Sequence, residues 1–318
     1  MNILITGING FVGSNFTEKW KESHVLYGLD INQTPKNGVK AIYSWEQLAE
    51  IPETDAIVHL AGKAHDTKNR SKAAEYFAVN TGLTQKIFDY FLQSSARKFI
   101  FFSSVKAAAN SVLGDVLTEE VAPAPVGPYG KSKIRAEGFI LRAEKQDPRV
   151  KDKKIYILRP CMIHGPGNKG NLNLLYNVVS KGIPWPLGAF DNRRSFCSID
   201  NMAFVVEQLI VRDDIPSGIY QVCDDEALST NELIQLINES LGKKTRIWKL
   251  PKSFMTGAAG ICGALHLPLN KERLRKLTEN YVVSNEKIKS ALGIEKMPIS
   301  AHEGIKKTLE SFLMRYSQ

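Results

Sequence analysis

The chain has 318 residues and a net charge of +9, and its composition is 43% hydrophobic and 24% charged. These fractions are ordinary for a globular protein with one large or two modest domains. The positive charge suggests acidic ligands or an anionic surface. Basic and aromatic residues are not interleaved in any patch, however, so we expect no nucleic-acid partner. The four cysteines and six histidines lack metal-ligand spacing, so we expect no metal site and free thiols in a reducing compartment.

The first predicted element is a strand over residues 2–6, which leads into a glycine-rich turn and a helix from about residue 11. Its apolar run, Ile3-Leu4-Ile5, is typical of a buried parallel strand. Glycines that follow such a strand allow a tight turn and let a diphosphate approach the backbone at the helix N-terminus. We therefore expect a dinucleotide to contact Gly7, Gly10, Phe11, Val12 and Gly13.

A second predicted strand covers residues 25–30 and ends in an acid, Asp30. An acid about 20 residues after the glycine turn is placed to hydrogen-bond the 2′-hydroxyl of an adenosine ribose and to repel a 2′-phosphate. No arginine follows at Ile31 or Asn32. The sequence therefore predicts NAD as the cofactor, with NADP less favoured.

Strands and helices continue to alternate through the first half, and the second half is less regular. This alternation predicts an α/β protein with a doubly wound parallel sheet, whose ligands lie at the carboxyl ends of the strands. The further elements that we predict are strands 56–60, 98–103, 155–159 and 218–223, and helices 71–93, 129 onward, 170–187 (helix then loop), 198–211, 229–241 and 274 onward.

The helix that begins near residue 129 carries Tyr129 and, four positions later, Lys133. This spacing puts both side chains on one face of the helix. An ammonium beside a phenol lowers the phenol pKa from its usual value of about 10. We therefore predict that Tyr129 is a general acid or base that Lys133 assists.

The segment 253–268 is uncharged and rich in small residues. It is shorter than the roughly 20 apolar residues of a membrane span, so we predict a buried helix and no membrane insertion. The chain begins with a strand, from which we expect no signal peptide and a cytoplasmic protein.

Five motifs together resemble the NAD-dependent epimerase/dehydratase family of extended short-chain dehydrogenases/reductases, whose members act on nucleotide sugars. The spacing Gly-x-x-Gly-x-x-Gly matches that family at the first turn. The resemblance covers nearly the whole chain. The other four motifs are Val58-His-Leu-Ala-Gly62, Lys98 to Ser104, Leu158 to Pro166, and Val282 to Gly293.

The resemblance implies a Rossmann domain over residues 1–165, rejoined by about 195–223, and a smaller C-terminal α/β domain within 166–318 that binds a UDP-linked sugar. It also implies a homodimer. It places Ser104 beside Tyr129 as the third catalytic residue, with Ser103 as its competitor, and gives Lys133 a second role on the nicotinamide ribose. The residues that it adds to the cofactor site are Leu60, Ala61, Gly62 and Asn80. Those that it assigns to substrate are Ser103, Asn171, Leu172, Arg194, Phe196 and Arg275.

Dehydratases of this family carry an Asp-Glu pair after the catalytic Ser or Thr, where this chain has Val105 and Lys106, so we expect no dehydration. Ser-Ser-hydrophobic-Lys resembles reductases of UDP-4-keto-6-deoxy-N-acetylhexosamines, enzymes of surface-polysaccharide precursor synthesis. The prediction is thus an oxidoreductase acting at C4 of a UDP-sugar. The alternatives are a 4-epimerase of UDP-glucose or UDP-N-acetylglucosamine, and a non-catalytic dinucleotide-binding regulator on the same fold.

Overall fold

The structure of the chain, a computed structural model, describes residues 1–63, 72–112, 114–168, 170–264 and 271–316, without the side chains of 259–264, 271–273, 315 and 316. Its strands are β1 (Asn2–Thr6), β2 (Val25–Leu29), β3 (Val39–Tyr43), β4 (Ala56–His59), β5 (Lys98–Phe102), β6 (Lys154–Pro160), β7 (Met162–His164), β8 (Phe196–Ser198) and β9 (Gly218–Val222). Its α-helices are α1 (Phe11–Trp20), α2 (Ala73–Tyr76), α3 (Leu83–Gln93), α4 (Val105–Ala108), α5 (Gly127–Gln146), α6 (Asn171–Val179), α7 (Ile199–Val211), α8 (Thr230–Ser240), α9 (Lys252–Ala264), α10 (Lys271–Thr278), α11 (Glu286–Leu292) and α12 (Ala301–Tyr316).

Seven strands form one parallel sheet in the order β3-β2-β1-β4-β5-β6-β9. The predicted doubly wound parallel sheet is therefore confirmed. The edge strand β3 is an element that the sequence did not reveal, because its residues are only partly buried and do not form a continuous apolar run. At the other edge β9 pairs with β6, so a segment from beyond residue 195 completes the sheet.

Helices cover both faces of this sheet, as buried parallel strands require. On one face, Phe16 and Trp20 of α1 join the core with residues of α7. On the other face, Phe88 and Phe91 of α3 pack with Ile140 of α5 against the central strands. All five residues of β5 are buried, which explains why this strand reads as a continuous apolar run in the sequence.

The helix predicted over 71–93 is interrupted by a π-helical turn at Phe77–Gly82, between α2 and α3. Residue 71 of that prediction lies outside the described residues. The turn packs on α5, where Thr81 Oγ1 donates to the carbonyl of Ser132 at 2.9 Å. Turns of this kind occur frequently at functional sites.

A second core joins α6, α8 and α12 with β8, and it includes Leu172, Phe196, Ile237 and Phe312. The short parallel pair β7–β8 leads from the main sheet into this region. Neither strand was predicted, because three residues are too few to show a periodic pattern.

The helix expected within 253–268 is present as α9, but it is not buried along its first turn. Phe254 is 63% exposed, while its neighbour Met255 packs in the second core. Residues 265–268 lie outside the described part of the chain. Across the described residues, no helix combines the length and the apolar character that crossing a membrane requires.

Candidate active site

The sheet has a topological switch point between β1 and β4, because the strand order reverses there. Connections leave these two strands in opposite directions and open a crevice at their carboxyl ends, where open α/β sheets bind ligands. The glycine turn after β1 and the segment Leu60 to Gly62 after β4 both lie at this crevice. The structure thus brings together two segments that are about 50 residues apart in the sequence.

The glycine turn is shaped for close approach. Gly7 has φ +70°, a conformation that favours glycine, and a Cβ there would lie 2.9 Å from the amide nitrogen of Ala61. Helix α1 begins immediately after Gly10, which forms no side-chain cap. The first N–H groups of α1 therefore lack a side-chain acceptor and suit a diphosphate at the helix N-terminus. The turn fits the dinucleotide predicted from its sequence.

Asp30 follows β2 at the edge of the crevice. Its carboxylate accepts hydrogen bonds from the amides of Asn9, at 3.0 Å, and Asn32, at 3.1 Å. These bonds fix the carboxylate and leave acceptor capacity for a ribose hydroxyl.

Lys36 lies close to Asp30 and the glycine turn, a position that no pattern in the sequence predicted. Its Nζ donates to the carbonyl of Ile8 at 2.7 Å and to Ser14 Oγ at 2.9 Å. Burial lowers the pKa of Lys36, and the nearby Asp30 opposes this shift. A cation therefore supports the glycine turn from the side of Asp30.

Tyr129 and Ser104 meet as predicted, although β5 and α5 bring them from different parts of the chain. Their side chains are hydrogen-bonded, and the partly buried Tyr129 ring makes a T-shaped contact with the Tyr76 ring, with centroids 6.2 Å apart. Ser104 is the N-cap of α4, and its Oγ accepts from the amide of Lys106 at 3.2 Å. Burial raises the pKa of Tyr129, while the hydrogen bond from Ser104 opposes the rise. The phenol is therefore held in its protonated form.

Ser103 has a different environment from the one expected for a substrate contact. Its hydroxyl donates to the carboxylate of Glu137, which is fully buried. The same carboxylate forms a buried ion pair with Arg159, at 2.6 Å. The prediction that Ser103 contacts substrate is not supported by this geometry, because its hydroxyl is already hydrogen-bonded to the buried carboxylate of Glu137. Ser104 is the serine that faces Tyr129.

Lys133 lies on the same face of α5 as Tyr129, and a backbone carbonyl holds its ammonium. Its Nζ donates to the carbonyl of Phe102 at 2.7 Å and would be 3.2 Å from a Cβ on Gly62. Burial lowers the pKa of Lys133 to about 8, with Glu137 opposing the shift. The ammonium thus points to the crevice beside Gly62, a position suited to a cofactor ribose. The pKa of Tyr129 is raised in this structure, and its lowering by Lys133 stays a prediction.

Asn80, predicted at the cofactor site, clamps the loop that follows Gly62. Its Oδ1 accepts from the amide of Lys63 at 2.7 Å, and its Nδ2 donates to Ser132 Oγ at 3.0 Å. This side chain ties the loop after β4 to helix α5. Asn80 therefore shapes the wall of the crevice through its neighbours.

Arg193 and Arg194 face opposite ways, as neighbours in an extended segment do. Arg193 is exposed, whereas Arg194 is partly buried and its guanidinium donates to the carbonyl of Lys276. Burial lowers the pKa of Arg194, and Glu279 and Tyr281 oppose the shift. Arg194 is thus the arginine that turns inward, toward Lys276 and Lys106.

The remaining predicted substrate residues differ in how far their side chains are exposed. Arg275 is exposed on α10, with its Nε 3.7 Å from Glu279. Asn171 is exposed at the start of α6. Leu172 and Phe196, in contrast, are 2% and 1% exposed. Their side chains belong to the second core, so the prediction that they contact substrate is not supported.

One group of residues near Arg194 was not predicted as part of the site. It consists of Lys106, Glu279 and Tyr281. Of these, Lys106 alone belongs to a motif noted in the sequence, Ser-Ser-hydrophobic-Lys. Tyr281 donates to the carbonyl of Ala109 at 2.7 Å and so joins the C-terminal segment to the end of α4.

In the described part of the chain, His, Cys, Asp and Glu side chains form no group of three or more that could hold a metal ion. The side chains at the crevice are instead those of a dinucleotide site and a Ser-Tyr-Lys set.

Comparison with known proteins points to the same chemistry. The model of the NAD dependent epimerase/dehydratase family matches residues 3–223. A UDP-glucose 4-epimerase of Vibrio cholerae is 30% identical over 98% of this chain and 95% of its own length. The N-acetyl-alpha-D-glucosaminyl-diphospho-ditrans,octacis-undecaprenol 4-epimerase of Escherichia coli O157:H7 is 25% identical over 91% and 84% of the two chains.

Solved structures share the fold. MoeE5 in complex with UDP-glucose and NAD superposes with a TM-score of 0.77 at 18% identity, over 99% of this chain and 100% of that one. The UDP-glucose 4-epimerase of Thermotoga maritima, with UDP-glucose, has a TM-score of 0.75 at 20% identity, over 99% and 100%.

Proposed function

The chain belongs to the NAD-dependent epimerase/dehydratase family, and on that premise we propose that it catalyses oxidation and reduction at C4 of a UDP-linked sugar. The reaction that we put first is reduction of a UDP-4-keto-6-deoxy-N-acetylhexosamine during synthesis of surface-polysaccharide precursors. Members of this family are NAD-dependent enzymes that act on nucleotide sugars. What we propose beyond family membership is the net reaction and the identity of the sugar.

The observation that carries the proposal is the hydrogen-bonded pair of Ser104 and Tyr129 at the carboxyl end of β5. Two hydroxyl groups in contact can both reach one oxygen of a substrate. Because burial raises the pKa of Tyr129, the phenol carries a proton before substrate arrives. A protonated phenol is the form that a reductase needs, since the oxygen at C4 gains a proton as the carbonyl is reduced.

Each side chain then has a defined task. Tyr129 gives its proton to the C4 oxygen, and Ser104 holds that oxygen by a hydrogen bond. Lys133 keeps its ammonium beside Gly62, where it would contact a cofactor ribose. When bound, NADH supplies the hydride that C4 receives.

The rest of the crevice is consistent with this assignment. Asp30 is held by two amides at the adenosine end, which favours NAD over NADP. Arg194 brings a partly buried guanidinium, a group whose planar fork suits phosphate oxygens. Val105 and Lys106 follow Ser104 where a dehydratase needs an acid and a base, so expulsion of water is disfavoured.

A 4-epimerase is the second candidate, and the Vibrio cholerae relative favours it. An epimerase would use the same residues, with Tyr129 first accepting the proton of the 4-hydroxyl. Cofactor consumption separates the two, because an epimerase regenerates its cofactor in each turnover while a reductase consumes one NADH per product.

The test is incubation of the protein with UDP-glucose, UDP-N-acetylglucosamine and UDP-4-keto-6-deoxy-N-acetylglucosamine, each with and without NADH. NMR follows the product, and absorbance follows NADH. We expect the keto sugar to be reduced with one NADH lost per product. Interconversion of the 4-hydroxyl sugars without loss of NADH would establish the epimerase instead. No change in any of them would contradict both.

A further inference from the structure

Lys106 sits two residues after Ser104, on the short helix α4, and its backbone is fixed against the catalytic helix α5. Its amide donates to Ser104 Oγ at 3.2 Å. A Cβ on Gly130 would lie 2.4 Å from the carbonyl oxygen of Lys106, so α4 and α5 touch at this point. Because Gly130 follows Tyr129 directly, the position of Lys106 is tied to both hydroxyl groups of the proposed site.

The side chain of Lys106 runs from this point toward the C-terminal segment. Its Nζ donates to the carbonyl of Asn110 at 2.8 Å and lies 4.0 Å from the centre of the Tyr281 ring. No carboxylate in the described part of the chain lies within 4 Å of it. A ring face and one carbonyl leave at least one ammonium proton for another acceptor.

The charges around Lys106 are unbalanced. Within the described residues, three further cations act on Lys106, and one acid, Glu279, opposes them. Glu279 also lies 3.7 Å from Arg275. The cations are Arg194, Arg275 and Lys276. Burial, together with these cations, lowers the pKa of Lys106 to about 8. Lys106 and Arg194 are partly buried, while Arg275 and Lys276 are exposed. Two partly buried cations with one nearby acid favour an anion between them.

We propose that Lys106 is a substrate-binding residue that donates to the diphosphate of the UDP-sugar, on the side of the catalytic serine and opposite Arg194. The inference rests on the proposed function, since it takes a nucleoside diphosphate sugar as the ligand. The diphosphate is the anion that fits, because Lys106 and Arg194 approach one region from two domains of the chain. A carboxylate on the sugar is the other anion of similar chemistry, and the experiment separates the two.

This position gives the lysine a role beyond affinity. The ammonium and the amide that orients Ser104 belong to the same residue. Binding of phosphate to Lys106 would therefore place the sugar relative to Ser104 and Tyr129. Binding energy from a part of the substrate that does not react is then used to position the reacting carbon.

The test compares Lys106→Met and Lys106→Arg with the wild type by calorimetric titration of uridine, UDP, UDP-glucose and UDP-glucuronic acid. Lys287→Met is the matched control, because Lys287 lies 5.2 Å over the ring of Tyr220 on an exposed surface. We expect Lys106→Met to weaken UDP and both UDP-sugars by about tenfold or more, as loss of a charge-assisted bond to phosphate does. Uridine binding should not change, and Lys287→Met should match the wild type.

The pH dependence gives a second readout. The protonated lysine is the form that binds an anion, so wild-type affinity for UDP should fall as pH rises from about 7 to about 9, through the pKa of about 8. Lys106→Arg should restore binding and remove that fall, because arginine stays charged over this range. The charged and titratable groups that face Lys106 are Glu279, Arg194, Arg275, Lys276 and Tyr281. Burial raises the pKa of Tyr281, so this phenol stays neutral between pH 7 and pH 9.

Three other binding results would contradict the inference, each for a different reason. Loss of UDP-glucuronic acid binding alone would make the ligand a sugar carboxylate. Unchanged UDP binding in Lys106→Met would remove the lysine from the substrate site while leaving the proposed function intact. If the wild type binds uridine diphosphates no better than uridine, both the proposed function and this inference fail.

Discussion

Tyr129 is partly buried, is hydrogen-bonded to Ser104, and has a pKa raised by desolvation. The phenol is therefore protonated at neutral pH, and the protein does not need Lys133 to lower its pKa if the first task is to donate a proton. Lys133 serves the crevice from the other side, near Gly62. At the scale of the residue, the proposed site thus separates the proton donor, Tyr129, from the cofactor contact, Lys133.

Tyr129→Phe should leave folding and NAD binding intact but lower turnover by about 10²-fold or more, because it removes only the acidic proton. Circular dichroism, NADH titration and the rate of product formation check these three expectations. Tyr90→Phe, which removes the hydroxyl of a partly buried tyrosine of α3, serves as the control. Turnover close to the wild-type rate in Tyr129→Phe would exclude the phenol as the proton donor.

Asp30 should make the protein prefer NADH to NADPH, since its fixed carboxylate accepts from a ribose hydroxyl and repels a 2′-phosphate. Fluorescence titration with both cofactors measures the preference, and Asp30→Ala should reduce it. Lys36 lies close by and attracts phosphate, so it works against the discrimination. Equal or tighter binding of NADPH by the wild type would show that the end of β2 does not select the cofactor.

Arg194→Ala should weaken UDP binding by about tenfold to a hundredfold, which corresponds to the 1.5–3 kcal/mol of a charge-assisted bond, and should leave NADH binding unchanged. Arg193→Ala is the matched control, because its side chain is exposed and faces the other way. If Arg193→Ala weakened UDP binding and Arg194→Ala did not, the two side chains could not have the orientations given above. If neither change affects UDP, the diphosphate site lies elsewhere.

At the scale of the element, helix α5 presents Tyr129, Lys133 and Glu137 at intervals of four residues on one face. Glu137 is the fully buried member of this set. Its carboxylate accepts a hydrogen bond from the Ser103 hydroxyl and forms an ion pair with Arg159 of β6. The helix is therefore anchored to two strands of the sheet directly below the site. The π-helical turn that carries Asn80 and Thr81 packs on the same helix.

Removing the carboxylate of Glu137 should destabilise the protein strongly, since it leaves the Arg159 guanidinium buried without its partner. Glu137→Leu should lower the free energy of unfolding by about 3–5 kcal/mol, and the double change with Arg159→Met should lower it less. Urea unfolding measures both. Arg149→Ala, which breaks an exposed pair with Asp147, should leave the unfolding midpoint unchanged. A double variant less stable than Glu137→Leu would contradict this explanation.

The sequence predicted the elements with strong local signals and could not predict those that depend on packing. The glycine turn, Asp30, and the Tyr129–Lys133 spacing are local patterns, and each lies in the crevice as expected. The choice between Ser103 and Ser104 is not local, because Glu137 and Arg159 decide it and both are distant in sequence. The burial of Leu172 and Phe196 is not local either, because a motif does not reveal that its side chains fill a core, and their contact with substrate stays a prediction.

At the scale of the whole molecule, the chain leaves the parallel sheet after β6 and returns to it with β9. The segment that carries Arg194 therefore begins on β6 and ends on β9, at one edge of the sheet. Tyr281 comes from the chain after β9, and both residues lie close to Lys106. The boundaries near 165, 195 and 223 stay predictions, as do the homodimer and the cytoplasmic location.

The central claim, that hydride is delivered to C4 of a UDP-sugar, is tested most directly with NADH that carries deuterium at the reactive carbon of its nicotinamide ring. The protein is incubated with this cofactor and UDP-4-keto-6-deoxy-N-acetylglucosamine, and NMR locates the label. We predict deuterium at C4 of the sugar, in one copy per NADH consumed, and its near absence with Tyr129→Phe. A product without deuterium at C4, or no consumption of NADH with any UDP-4-keto sugar, would contradict the claim.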